Sequence, residues 1–356
     1  MSISFLQLDN CRNIVSTSIP CPHQFNLFFG DNGAGKTAIL EAIYYLSCGK
    51  SFRTNHIDHI IHEKSNELTV FAKLKNGSQL GIQKTRDSTV SLRYNNDKIN
   101  NIAQFSQSLP VQFIGTTSHR ILLDGPKSRR QFLDWGLFHT CPHFYPQWRE
   151  FQKLLVQRNA MLKSRASLNE LYSWNHVVAN TGEALTALRK NYIAEFLPYF
   201  NHIISIFLKN IHMKLNYTQG WSLDCSLLDS LNKNVSRETI FGYTLYGPHR
   251  ADLTIEIDNI PAQEILSQGQ QKLVSYALRL AQGLHFHEIT KNHPIYLIDD
   301  MPSELDKNKR TLVAKILNDI GAQVFLTAVE KSNLDELIDL GNSKMFHVKH
   351  GELVTG

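Results

Sequence analysis

The chain has 356 residues, 42% hydrophobic and 19% charged, which excludes an intrinsically disordered protein and leaves room for two domains with separate cores. Its 37 Lys and Arg against 32 Asp and Glu give a net charge of +5, compatible with a polyanionic partner but too small to name one. Cys11, Cys21, Cys48, Cys141 and Cys225 are odd in number and lack CxxC spacing. Reduced thiols in the cytoplasm are therefore expected. Neither a leader sequence nor an apolar run of about 20 residues is present, so no membrane partner is expected.

In chain order, residues 3–8 alternate as a strand, and Phe25–Phe29 is a continuous apolar run that ends on Gly30. A continuous run suits a strand buried on both faces of a parallel sheet. Residues 38–46 then show helical apolar spacing without a breaker. Residues 68–74, 80–84 and 89–94 read as an antiparallel sheet, with Asn76-Gly77 suited to a tight hairpin. His56, His59 and His62 recur every third residue around Ile60-Ile61, which predicts an amphipathic surface helix rather than a metal site.

From about Pro142 to Lys209 the chain is helical. Trp174, Val178, Thr181, Leu185, Leu188, Tyr192 and Phe196 form one stripe, expected to pack inside a domain rather than along a coiled coil. After Tyr243 the β/α style returns, with a strand at 255–257, a helix at 273–284, and strands at Ile295–Ile298 and 324–327. The pattern predicts a split α/β domain, residues 1–115 and 240–356, with a mainly helical domain, 116–239, inserted between its halves.

Three motifs carry chemistry. Gly30-Asp31-Asn32-Gly33-Ala34-Gly35-Lys36-Thr37 matches G-x-x-x-x-G-K-[ST] in full, between a buried strand and a helix. Its glycines let backbone N–H groups curl around phosphates, Lys36 is expected at the β- and γ-phosphates of ATP, and the Thr37 hydroxyl on Mg²⁺. Ile295–Ile298 ends in Asp299-Asp300, two acids that are costly there without a cation. Asp299 is expected to hold Mg²⁺, and Asp300 to act as general base or water-positioning group.

The third motif, Ser267-Gln268-Gly269-Gln270-Gln271, opens a helix about thirty residues before Asp299 and makes a second anion-binding helix N-terminus. One nucleotide needs no second site so far away. ABC-type ATPases use such a segment in trans, on the partner subunit's ATP, so the fold expected is an ABC-type P-loop ATPase head: a mixed sheet flanked by helices, with an antiparallel β subdomain and the inserted helical domain.

With these motifs in order, the chain resembles the RecF family, relatives of the Rad50 and SMC ATPases, over essentially its whole length. The resemblance extends to Cys11-Arg12-Asn13, Gly49-Lys50-Ser51-Phe52-Arg53-Thr54, the stretch from Gly125 to Trp135, Tyr246-Gly247-Pro248-His249-Arg250-Ala251-Asp252 and Ser303-Glu304-Leu305-Asp306. It departs at residues 113–119, where no Pro-Glu pair precedes Arg129-Arg130, and at Leu326-Thr327-Ala328-Val329, which has no histidine.

The resemblance implies ATP contacts at Arg12 and Asn13 and an ATP-dependent homodimer with slow, DNA-stimulated hydrolysis. It further implies binding to single- and double-stranded DNA at gap junctions, and cooperation with RecR, RecO and RecA in gap repair, replication restart and the SOS response. The rival readings are a transporter-type nucleotide-binding subunit, a Rad50- or SMC-like tether, and a small-molecule kinase in which the third motif has no role.

Overall fold

The computed structural model describes residues 2–54, 56–116, 118–338 and 342–354. They pack into two units, one from residues 1–118 with 272–356, the other from residues 119–271.

The first unit holds two six-stranded sheets. In one, Phe25–Phe29 lies between Val324–Ala328 and Ser343–Lys349, parallel to both. Ile295–Ile298 and then Val111–Ile114 extend the parallel run beyond Val324–Ala328. Glu352–Val354 adds an antiparallel edge. Every residue of Ile295–Ile298 and Val324–Ala328 is buried, which is what their unbroken apolar runs require. The other sheet is an antiparallel meander in which Glu67–Leu74 and Gln79–Thr85 alternate buried positions with more accessible ones. Gly77, at φ 89°, turns the hairpin between them. The helix Lys36–Cys48 buries Ile39, Leu40, Ile43 and Leu46 in a core shared by both sheets.

In the second unit, Leu168–Phe207 is one 40-residue helix. It packs against Pro126–Thr140, Phe144–Lys163 and Leu227–Phe241. Its sequence stripe is only partly its buried face. Val178, Leu185, Tyr192 and Phe196 are buried, but so are Asn175, Thr186 and Arg189, whereas Trp174, Thr181 and Leu188 are half-buried. Two of these polar side chains take their places because they are partnered: Arg189 holds Asp134, and Asn175 accepts from Arg158 at 2.7 Å. Arg158 also donates to Glu238 at 2.6 Å, and all three of these side chains are fully buried.

Two expectations need correction. The strand Asp252–Ile257 belongs to the second unit, not to the α/β half, because it pairs antiparallel with Lys214–Thr218. The second boundary accordingly falls after Gln271 rather than at 239/240, and the first after Ser118 rather than at 115/116. The histidine segment forms only a three-residue turn, Ile57–His59. Ile60 and Ile61 are buried, Ile61 bridging to Cys11 and the Ile60 carbonyl accepting from Arg12 N–H at 2.7 Å, so the chain there is held as a strand-like bridge. Asn55 lies outside the described residues.

Candidate nucleotide-binding site

The phosphate-loop motif leaves the carboxyl end of Phe25–Phe29 and enters Lys36–Cys48. Gly30 has φ 147°, and a Cβ there would stand 2.2 Å from the Val348 carbonyl oxygen, so no side chain fits. Gly35, φ 115°, caps the helix without a side chain and leaves its N-terminal N–H groups facing outward. Beside the exposed Asp31, Asn32 and Gly33, a Cβ on Gly33 would meet nothing within 4 Å, so the loop is open there. Two braces hold the loop from outside. Asn13 Nδ2 donates to the Gly33 carbonyl at 3.0 Å, and Gly351 N–H donates to the Ala34 carbonyl at 2.8 Å.

Lys36 folds back over this loop. Its Nζ donates to the carbonyls of Gly30 at 2.6 Å and Asp31 at 2.9 Å. Burial pushes its pKa down, while the carboxylates of Asp300, Asp299 and Asp31 pull the other way. The ammonium thus stays beside the cradle, poised to exchange carbonyl partners for an anion.

Asp299 and Asp300 follow Ile295–Ile298 but are used differently. The Asp299 carboxylate accepts from the Thr37 hydroxyl at 2.9 Å and the Thr327 hydroxyl at 2.8 Å, both on Oδ1. Burial pushes its pKa up, against the pull of the two hydroxyls. Asp300 adopts a left-handed backbone, φ 53°, and its N–H donates to Thr327 Oγ1 at 2.8 Å. The Thr37 hydroxyl against a carboxylate is a hard-oxygen donor set, and it fits Mg²⁺. Among the described residues no cluster of three or more His, Cys, Asp and Glu suits a metal.

These groups line one cleft of about 1020 Å³, together with Arg12, Arg53, His59, His62, Arg86 and Thr116. Arg12 is on its wall, but its Nε and Nη2 both donate to the fully buried Glu41, each at 2.8 Å. That pairing holds the Arg12 charge in place and pushes its pKa up. Glu41, Thr327 and Gly351 escaped the sequence reading. Each is an unremarkable residue type whose partner in the site is 27 or more positions away (Arg12 for Glu41, Asp299 and Asp300 for Thr327, Ala34 for Gly351), apart from the faint cue of an acid inside an apolar helix.

The signature segment belongs to the second unit. Ser267 Oγ accepts from Gln270 N–H at 3.4 Å, and Ser267 N–H donates to Gln270 Oε1 at 2.9 Å, a reciprocal cap. Gln271 is buried and donates to the Leu266 carbonyl at 3.0 Å. Ser267, Gln268 and Gly269 are exposed, and a Cβ on Gly269 would meet nothing within 4 Å. In the same unit Arg129 is locked to both carboxylate oxygens of Asp252, at 2.7 and 2.9 Å, and Arg130 to the Ala251 carbonyl at 2.7 Å. This pair joins the 125–135 and 246–252 stretches to each other.

A family profile described as the RecF/RecN/SMC N terminal domain matches residues 2–352. The DNA replication and repair protein RecF of Coxiella burnetii (strain RSA 493 / Nine Mile phase I) is 43% identical over 354 residues, 99% of this chain and 98% of the relative. That of Shewanella frigidimarina (strain NCIMB 400) is 38% identical over 358 residues, 100% and 99% of the two chains. Among solved structures, the recombination mediator protein RecF with ATP superposes with a TM-score of 0.86 at 21% identity, covering 99% of this chain and 97% of that one. An SMC head bound to the C-winged helix domain of ScpA gives 0.62 at 14%, with 99% and 97% covered. At these identities the two structures speak for the fold, a mixed α/β ABC-type ATPase head. The full-length sequence matches speak for the family: this chain belongs to the RecF family of DNA replication and repair proteins, ABC-type ATPases of the RecF/RecN/SMC group.

Proposed function

We propose that the chain is an ATP-dependent DNA clamp: two protomers close on ATP, grip DNA at a single-strand gap, and open on hydrolysis. The observation that supports this most directly is an open glycine cradle with Thr37 hydrogen-bonded to Asp299, in a chain that also carries the capped and exposed Ser267–Gly269 segment. Gly33 and Gly35 present N–H groups to the phosphates, and Lys36 moves from its loop carbonyls to the β- and γ-phosphate oxygens. Thr37 and Asp299 would hold Mg²⁺, which would neutralise phosphate charge. Asp300, whose carboxylate makes no hydrogen bond among the described residues, orients water. Asn13 keeps the loop in shape, and Arg12 forms the wall beside it. Ser267 to Gln271 act on the partner's nucleotide. By the family resemblance, the clamp works with RecR, RecO and RecA in the cytoplasm. No helix among the described residues is long and apolar enough to cross a membrane.

The trans arrangement has a sharp test. Lys36→Ala and Ser267→Arg should each abolish ATP-driven association alone. When the two are mixed, a heterodimer keeps one site built from an intact phosphate loop and an intact signature, so sedimentation should recover part of the dimer. If each protomer used only its own signature, mixing would restore nothing.

A further inference from the structure

The helix Leu227–Phe241 ends at Gly242, whose left-handed backbone, φ 71°, lets its N–H return to the Glu238 carbonyl at 2.8 Å. Around that reversal the chain leaves a row of flat side chains in water. The Arg237 guanidinium lies over the Phe241 ring at 5.8 Å. The Phe241 and Tyr243 rings are 5.8 Å apart, and the Arg250 guanidinium lies over the Tyr243 ring at 5.5 Å. Phe241 is 50% exposed, Tyr243 40%, and the adjoining Ile240 83%. Lys163, also exposed, runs its stem past Gly242.

Folding does not ask for this arrangement, since an exposed aromatic forfeits most of the burial that stabilises a core. Nor is the charge balanced. Between Ser230 and Ala251 the only acid is Glu238, and it is fully buried on Arg158 and the Leu245 N–H. Among the described residues Arg237 and Arg250 form no ion pair.

The platform is also fixed from beneath. Thr244 is held by Asn159 at 2.8 Å and by Arg158 at 2.7 Å, and the His249 ring bonds the Thr244 carbonyl at 3.0 Å. A rigid pair of neighbouring rings, tilted 43° to each other and flanked by a cation at each end, matches a ligand that is both flat and polyanionic.

We propose that Arg237, Phe241, Tyr243 and Arg250, with Lys163, form a stacking platform for unpaired nucleotides of a single strand. Bases would lie on the two rings and phosphates against the cations, with little dependence on base identity, because every base has a π-face. An acidic protein segment would use the cations but gain nothing from the bases' stacking surface. The proposal rests on the reading of the chain as DNA-binding, though not on the nucleotide cleft.

The test is fluorescence anisotropy of the full chain with a labelled oligothymidine strand and a duplex of equal length. It compares wild type, Phe241→Ala with Tyr243→Ala, the ring-keeping pair Phe241→Tyr with Tyr243→Phe, and Arg237→Gln with Arg250→Gln. The rings are half-exposed at a helix end, and matching thermal melts check that each variant is folded. Loss of both rings should weaken single-strand binding about tenfold or more. It should leave duplex binding and the salt slope unchanged, and the ring-keeping pair should bind like wild type. The double glutamine variant should lower the salt slope of single-strand binding by roughly 1.4. Equal single-strand affinity in the ring-less variant overturns the platform and leaves DNA binding standing elsewhere. Equal weakening on duplex shows a backbone contact without stacking and also overturns it. A wild type that binds neither strand form overturns the DNA-binding reading itself.

Discussion

Thr327 stands where the sequence pattern lacked a histidine, and its hydroxyl makes two hydrogen bonds at the centre of the site. It donates to Asp299 Oδ1 at 2.8 Å and accepts from Asp300 N–H at 2.8 Å, with the residue 1% exposed. Thr327→Val keeps the volume and replaces the hydroxyl with a methyl, so no cavity term enters. A hydrogen bond to a charged group contributes about 1.5–3 kcal/mol, and a stranded backbone N–H costs about 1–3 kcal/mol. Asp300 is half-buried and water can reach part of the loss, so the expected destabilisation is about 2–3 kcal/mol.

Hydrolysis should fall further than stability. The N–H that anchors Asp300 in its left-handed backbone is released, and about 1 Å of misplacement costs roughly 10²-fold in rate. Thr327→Ser, which keeps the hydroxyl, should recover most of both effects. The assay is urea unfolding alongside single-turnover ATP hydrolysis, normalised to folded protein. A valine variant that is less stable but hydrolyses normally would reduce Thr327 to packing. One that is unchanged in both would refute the reasoning.

Three further outcomes are expected. Asp299→Asn should raise the Mg²⁺ concentration needed for nucleotide binding, whereas Asp300→Asn should keep ATP and Mg²⁺ and stall turnover; the reverse pattern in a Mg²⁺ titration and a turnover assay would exchange their roles. Glu238→Ala strands a fully buried Arg158 and should cost about 3–5 kcal/mol in urea unfolding; a loss below about 1 kcal/mol would mean that water reaches the guanidinium. Burial pushes the His249 pKa down to about 4. Because its folded value lies below the unfolded value of about 6.5, its contribution is present above that pH and is lost as pH falls toward the folded value, about 2 kcal/mol by pH 5. His249→Asn should flatten the melting temperature between pH 7 and 5, and an unchanged slope would point to other groups.

The sequence was most legible where chemistry is local. The glycine loop, Lys36 and Thr37 are contiguous, and the acid pair ends an unmistakably buried strand. What it hid was what only strand register creates. Ile298 pairs with Leu326, so the next residues along, Asp299 and Thr327, become neighbours across 28 positions. Nothing in Leu326-Thr327-Ala328-Val329 announces this, since a threonine in a buried strand is an ordinary β-former. The same blindness displaced the helical stripe, because apolar periodicity cannot see that Arg189 and Asn175 are buried on partners from other helices. It also misassigned Asp252–Ile257, a strand correctly typed but separated from its partner Lys214–Thr218 by a helix.

The two acids show how backbone and side chain were traded against each other. Asp299 spends Oδ1 on two hydroxyls and so has a fixed orientation. The Asp300 side chain neither caps the following turn, Met301–Glu304, nor bonds elsewhere among the described residues, and it lines the cleft. Its backbone sits at φ 53°, a region where aspartate is tolerated several-fold better than most residues. A glutamate in the same place would be one methylene longer. The shorter side chain suits the left-handed turn but sets the carboxylate about one bond further back, so a water positioned by Asp300 is held less well. If Asp300 orients the water as proposed, slow hydrolysis is the expected outcome, and it would lengthen the time a closed clamp stays on DNA.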